Sequence, residues 1–226
     1  MKLCILFLTM TYCLCGVSGG ATLYIESDCP DAPLQPSQMV NIMIYGEGFT
    51  DLAGFQVALN FVGPDGPAAP AACSVAVNGT IIGDHMEIRV RGPVSQSEGC
   101  DVNDDGRVNI LDLVLIRNHQ NTSATEYDVT GDTRVNILDF LYARNEMGSD
   151  ADWLVGGVAP LYNNITITEK TWLMTATFVV GEAPPAYCNV RPSLDYTIVS
   201  DQWANQVVSA VQPAQLRVGE SPACAC

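Results

Sequence analysis

Positive charge is scarce in this chain: 226 residues hold 10 Lys and Arg against 25 Asp and Glu, a formal net charge of −15. No Lys/Arg cluster offsets that balance, so like-charge repulsion excludes nucleic acid and anionic membrane surfaces as partners. Histidine is nearly missing. Only His85 and His119 occur, and their spacing does not suit a metal pair. There is no CxxC pair, which leaves zinc without its usual ligand spacing, and no GxSxG turn of the serine-hydrolase kind. Past the opening residues, nothing is apolar for long enough to span a bilayer.

That opening segment carries one positive charge at Lys2, an apolar stretch, and a run of small residues between Gly16 and Ala21. It has the pattern of a secretory signal peptide over residues 1–20, and the expected location is secreted, extracellular or cell-surface. Its removal takes Cys4, Cys13 and Cys15 and leaves Cys29, Cys73, Cys100, Cys188, Cys224 and Cys226. An even count in a secreted chain predicts disulfides, but the sequence does not choose among the pairings. A bridge from Cys100 is expected to staple the root of the segment that follows it. Asn78, Asn121 and Asn164 open N-x-S/T triplets.

Two oxygen-rich stretches repeat. The first runs Asp101-Val-Asn-Asp-Asp-Gly-Arg-Val-Asn-Ile-Leu-Asp112, the second Asp128-Val-Thr-Gly-Asp-Thr-Arg-Val-Asn-Ile-Leu-Asp139. Calcium, a hard cation, takes roughly six to eight oxygens from a turning chain. An EF-hand-like loop supplies them from side chains at positions 1, 3 and 5, a backbone carbonyl at 7 and a carboxylate at 12. Both stretches fit that frame, and Asn109 and Asn136 stand at position 9, where a ligand acts through water. Apolar runs at 111–118 and 138–145 follow as short helices that must bury against each other, in a thin core that metal binding would help to fold.

This duplicated loop and helix resembles the dockerin module over roughly residues 100–149. The resemblance implies a calcium-dependent plug that docks onto cohesin domains of extracellular, often polysaccharide-degrading, assemblies. Carried over by motif position, the first site is Asp101, Asn103, Asp105, the carbonyl of Arg107, and Asp112. The second is Asp128, Thr130, Asp132, the carbonyl of Arg134, and Asp139. The second loop departs from the pattern. Gly106 stands where the first loop turns sharply, whereas β-branched Thr133 holds that place in the second, and Thr130 brings a hydroxyl instead of an amide or carboxylate. The second calcium site is therefore expected to be weaker. The resemblance also turns Arg117-Asn118, Arg144-Asn145 and the loop pairs Ile110-Leu111 and Ile137-Leu138 toward a cohesin. Without it, the arginines read as solvated helix ends favoured by the macrodipole.

On both sides of this module the texture changes to short alternating segments punctuated by Gly, Pro, Asn and Asp. Strands are predicted at Ala21–Ser27, Met39–Gly46, Phe55–Phe61, Cys73–Val77 and Met86–Val90 before it. After it they fall at Trp153–Val158, Asn164–Thr168, Trp172–Val180, Tyr196–Ser200, Gln206–Val211 and Gln215–Val218. With hydrophobic residues at 48%, a real core is available, and the fold class is mainly β: a two-sheet sandwich or jelly roll. Neither flank closes a sandwich alone. The expected organisation is one discontinuous domain of 21–99 and 151–219, an inserted module at 100–150, and a Cys-containing tail at 220–226. The order of these strands resembles a cohesin-like or carbohydrate-binding-module-like sandwich.

No set of acid, base and nucleophile stands out, and the acidic residues concentrate in the loops, so the chain reads as a non-enzyme. The expected function is a calcium-binding interaction module whose partner is a cohesin- or dockerin-bearing extracellular protein. The alternative is a carbohydrate-binding sandwich with a structural calcium insert, for which polysaccharide is the ligand. Trp153, Trp172 and Trp203, with Tyr45 and Tyr162, bear on that choice. They are either core or a stacking platform for sugar rings, and core is the expectation.

Overall fold

In the segment Ala21–Ser27 every second residue from Ala21 to Ile25 is buried, with Leu23 and Ile25 fully so, as a strand lying on a core requires. The same alternation buries Val40, Ile42 and Ile44 in Met39–Glu47. The computed structural model describes residues 21–28, 33–68, 70–77, 86–91, 98–148, 151–159, 165–207, 209–212 and 216–218. Before the calcium-loop module lie β1 (Ala21–Ser27), β2 (Met39–Glu47), β3 (Phe49–Gly63), β4 (Gly66–Pro67), β5 (Ala72–Val77) and β6 (Met86–Arg91). After it lie β7 (Trp153–Val158), β8 (Ile165–Ile167), β9 (Thr171–Val179), β10 (Cys188–Asp201), β11 (Ser209–Gln212) and β12 (Leu216–Val218).

These strands form two sheets. One has five strands in the order β11, β1, β2, β9, β5. The other has seven, with the path β12, β10, β3, β7, β6 and with β4 and β8 also paired to β3. Strands from the two flanks interleave in both: β2 pairs with β9, and β3 pairs with β7 and β10. The sheets meet over an apolar core in which Phe61 of β3 and Phe178 of β9 pack edge to face with ring centroids 4.7 Å apart. The fold is thus a mainly β sandwich carrying a small helical module.

Two strands are longer than their alternation predicted. β3 extends the expected Phe55–Phe61 in both directions because its middle is buried on both faces, which erases the alternating pattern. β10 begins at Cys188, not Tyr196. Pro192 and a register shift between Ser193 and Ile198 disguise its first half.

The module contributes α1 (Ile110–Asn118) and α2 (Ile137–Glu146). The helices pack on each other as expected, but α1 is enclosed from its other side as well. Ala53 and Ala58 of β3, Leu154 and Val158 of β7 and Ile198 of β10 join Ile110, Val114 and Phe140 in a second apolar cluster. Small residues on β3 permit this approach: a Cβ placed on Gly54 would meet Ile110 Cγ1 at 3.0 Å. The chain leaves the module at Asp152, whose Oδ2 accepts from Phe61 N at 2.7 Å. Among the described residues no helix is long and apolar enough to cross a membrane.

Candidate metal centre

Each loop folds around its first aspartate. Asp101 accepts from the backbone N–H groups of Asp105 (3.1 Å) and Gly106 (2.7 Å), and Asp128 accepts from those of Asp132 (3.1 Å) and Thr133 (2.7 Å). The last aspartate closes the ring. Asp112 Oδ1 takes Val102 N at 2.9 Å and Asn103 N at 3.3 Å, while Asp139 Oδ1 takes Thr130 N at 3.0 Å and the Thr130 hydroxyl at 2.8 Å. The fifth positions are tied in by Asn109 and Asn136, whose Nδ2 groups donate to Asp105 and Asp132. The same amides reach the carbonyls of Arg107 (3.5 Å) and Arg134 (3.1 Å), so the backbone oxygens assigned as ligands turn toward the carboxylates.

The asparagines have a role that loop arithmetic missed. Asn109 and Asn136 are the N-caps of α1 and α2, accepting from Leu111 N and Leu138 N at 2.8 Å, and Asp112 and Asp139 donate their second oxygens as acceptors to the cap N–H groups. Each is a complete capping box. The signal was present as Asn-x-x-Asp opening an apolar run. The twelfth residue therefore ties its loop to the start of the following helix.

Both loops require two left-handed residues. In the first they are Asp104 (φ +56°) and Gly106 (φ +86°), in the second Gly131 (φ +74°) and Thr133 (φ +76°). The glycine has changed places. Thr133 adopts the turn that Gly106 makes freely, at a cost of about 1–3 kcal/mol for a β-branched residue.

The donor set is all oxygen, which suits a hard cation. In the second loop Asp128, Asp132 and Asp139 each offer a carboxylate oxygen, all lying within 4.8 Å of one another. In the first loop burial pushes the Asp112 carboxyl up to about 7. Hydrogen bonds from Asn109 and Asn103 oppose the shift, and the charges of Asp105 and Asp101 add to it. For Asp139 burial also raises the pKa, but hydrogen bonds from Asn136 and Thr130 outweigh it and leave the group below its ordinary range. A divalent cation would offset the repulsion among these carboxylates and tie loop to helix. The residues present fit such an ion.

The first repeat is seated on the sandwich. Gln56, fully buried on β3, accepts from Ile110 N with Oε1 at 2.8 Å and donates from Nε2 to the Tyr196 carbonyl at 2.9 Å. Arg117 donates to the Ala159 carbonyl at 2.8 Å and the Ala53 carbonyl at 3.4 Å, and Asn118 donates to the Gln202 carbonyl at 2.8 Å. Arg117 is 6% exposed. It is neither a solvated helix end nor a group turned to an outside partner, and burial draws its guanidinium down to about 10. Arg107 donates to the Asp195 carbonyl at 3.0 Å and stacks on Tyr196. In the second repeat the same positions face outward: Ile137 is 47% and Leu138 55% exposed, and Tyr142, Arg134 and Asn145 are exposed too.

Other sequence candidates scatter. His119 caps α1, its Nδ1 2.9 Å from the Leu115 carbonyl and its ring stacked on Tyr127 at 3.7 Å. Trp153 belongs to the core, Trp172 and Tyr45 lie half-buried on the outer side of the five-stranded sheet, and Trp203 is exposed. Cys100 is buried in the second apolar cluster. Among the described residues no disulfide forms, and burial pushes the Cys188 thiol up to about 12. Asn121 is exposed in the turn between the repeats. The signal segment 1–20, Cys29, Asn78, His85, Tyr162, Asn164 and the tail 220–226 lie outside the described residues.

A duplicated, cap-locked acidic loop and helix defines a small metal-organised docking module. Residues 100–148 match the dockerin type I domain. The chain is also similar to a non-cellulosomal cohesin from the hyperthermophilic archaeon Archaeoglobus fulgidus, at 9% identity over 90% of this chain and 94% of that one, with a TM-score of 0.42. A second type II cohesin module from the adaptor ScaA scaffoldin of Acetivibrio cellulolyticus matches at 9% identity over 90% and 99%, with a TM-score of 0.43. CaCohA2 from Clostridium acetobutylicum matches at 8% identity over 88% and 90%, with a TM-score of 0.42. No curated protein matches the chain.

Proposed function

We propose that this protein is a secreted, non-catalytic assembly module: a discontinuous sandwich of 21–99 and 151–219 that carries a calcium-organised dockerin-like plug at 100–150. Calcium is held by Asp101, Asn103, Asp105, the Arg107 carbonyl and Asp112 in the first loop. Asp128, Thr130, Asp132, the Arg134 carbonyl and Asp139 hold it in the second. The second site is the weaker because Thr133 must be held in a left-handed turn. The partner is a cohesin-bearing extracellular protein of the kind that joins polysaccharide-degrading or cell-surface complexes.

The observation that carries this reading is the unequal fate of one hexapeptide. Arg-Val-Asn-Ile-Leu-Asp occurs at 107–112 and 134–139, capped identically in both copies, yet the first copy is covered by the chain's own sheet and the second is open. The first repeat is thus spent within the molecule, and the second, with Ile137, Leu138 and Tyr142, is the face offered to a partner. Large apolar side chains beside an arginine are what a docking hot spot needs.

Titration against a panel of cohesin modules tests it. Binding is expected with calcium and not in excess chelator, and Leu138→Glu should weaken it by about tenfold or more. Equal affinity without calcium, or an unaffected Leu138→Glu variant, would overturn the reading. Calcium titration of the chain alone should resolve two unequal sites, and two equal ones would contradict the ranking.

A further inference from the structure

The outer face of the five-stranded sheet lies on the opposite side of the sandwich from the module. It carries Tyr24, Tyr45 and Trp172 at directly opposed positions on three neighbouring strands, Tyr24 facing Tyr45 and Tyr45 facing Trp172. Their sequence neighbours Leu23, Ile25, Ile44 and Leu173 are fully buried, so the pleat turns the three aromatic side chains outward, where each is half-exposed. Adjacent strands lie about 4.8 Å apart. The three side chains therefore recur at a step comparable with the length of one pyranose ring.

Side-chain hydrogen bonds hold the row. The Tyr24 hydroxyl donates to Glu47 Oε2 at 2.5 Å, and Trp172 Nε1 donates to Thr175 Oγ1 at 2.9 Å. The Lys170 ammonium stands 4.7 Å and 4.9 Å from the centroids of the Tyr24 and Tyr45 rings and pairs with Glu26. Aromatic surface framed by charged, hydrogen-bonding groups presents an apolar body with a polar edge. That is the chemistry of a sugar ring, whose axial C–H faces are apolar and whose rim is hydroxyl.

We propose that this row is a binding platform for a neutral polysaccharide strand laid across β1, β2 and β9. Its rings stack on Tyr24, Tyr45 and Trp172, and its hydroxyls bond to Glu26, Glu47 and Lys170. The net charge of −15 sets the polymer's class, because an acidic glycan would be repelled.

Affinity electrophoresis and sedimentation of the calcium-loaded chain with cellulose, xylan and glucomannan test this. The chain should be retained by at least one of them, independently of salt. Tyr45→Ala and Trp172→Ala should each weaken retention about tenfold, and Tyr45→Phe by less than about threefold. Where an alanine variant lowers the thermal midpoint, Tyr45→Thr and Trp172→Thr replace it, since β-branched residues suit a strand. Leu138→Glu should leave retention unchanged, which separates this platform from the docking face of the second repeat. A chain that passes unretained through every neutral polymer overturns the proposal. So does retention that survives both ring removals, or that is carried instead by an anionic polymer or a protein and washed out by salt.

Discussion

The two repeats of the module are nearly one sequence in two surroundings. Loop wiring, capping box and helix start coincide, down to cap angles of φ −145° and ψ −169° in both copies. Beyond the caps they part: Ile110 is 0% exposed and Ile137 47%, Leu111 8% and Leu138 55%. Local chemistry builds the unit, and the sandwich decides which copy stays free. The buried copy also shows what a suitable cover looks like. It is a sheet with small residues at Gly54 and Ala58, a buried Gln56 acceptor for the first helical N–H, and carbonyls placed for an arginine.

The comparison breaks most sharply at the first helical residue. Ile110→Asp would place a carboxylate between α1 and β3 with no cation beside it, at a cost of about 4 kcal/mol or more. Ile137→Asp, in the same motif on the open face, should change stability by no more than about 0.5 kcal/mol. Urea unfolding of the two variants in calcium measures the difference. Equal losses would mean that the second face is covered in solution, and the assignment of a free docking surface would fail.

The arginines sharpen the same point at smaller amplitude. Arg117→Ala leaves the Ala53 and Ala159 carbonyls without their donor inside an apolar cluster and should cost about 2–4 kcal/mol. Arg144, half-buried and bonded to its neighbour Asn145 as Arg117 is to Asn118, should cost about 0.5 kcal/mol or less on the same change. A comparable loss for Arg144→Ala, read from the urea midpoint, would point to a buried role for the second helix end.

The difference in legibility follows the range of the interactions. Loop ligands sit within twelve positions of one another, so their spacing alone exposes them. The sandwich is legible for the same reason in β1 and β2, where one face is buried and the pattern alternates. It blurs in β3, which is buried on one face by the sandwich core and on the other by the module, so that Gly54 to Leu59 show no polar face at all. The seating of α1 could not be read, because its partners are a glycine, a glutamine and backbone carbonyls far away in the chain, and because the two hexapeptides invite one expectation for both. Gln56 in an otherwise apolar run was the available clue: a lone amide inside a strand buried on both sides needs a donor and an acceptor, and here they are Ile110 N and the Tyr196 carbonyl.

The smallest expected effect concerns the one backbone difference between the loops. Thr133 holds φ +76° where its counterpart Gly106 holds +86°, and the second loop keeps its own glycine two positions earlier at Gly131. Thr133→Gly removes a left-handed β-branched residue worth about 1–3 kcal/mol of strain. It also adds backbone freedom to the unfolded chain worth about 1 kcal/mol. The net gain of about 1 kcal/mol should appear as a rise of about fivefold in calcium affinity at the second site alone. The reciprocal Gly106→Thr should weaken the first site by a similar factor and bring the two sites toward equality. Titration of both variants decides the matter: if Thr133→Gly leaves the second site unchanged, the inequality between the sites lies in the Thr130 hydroxyl and not in the turn.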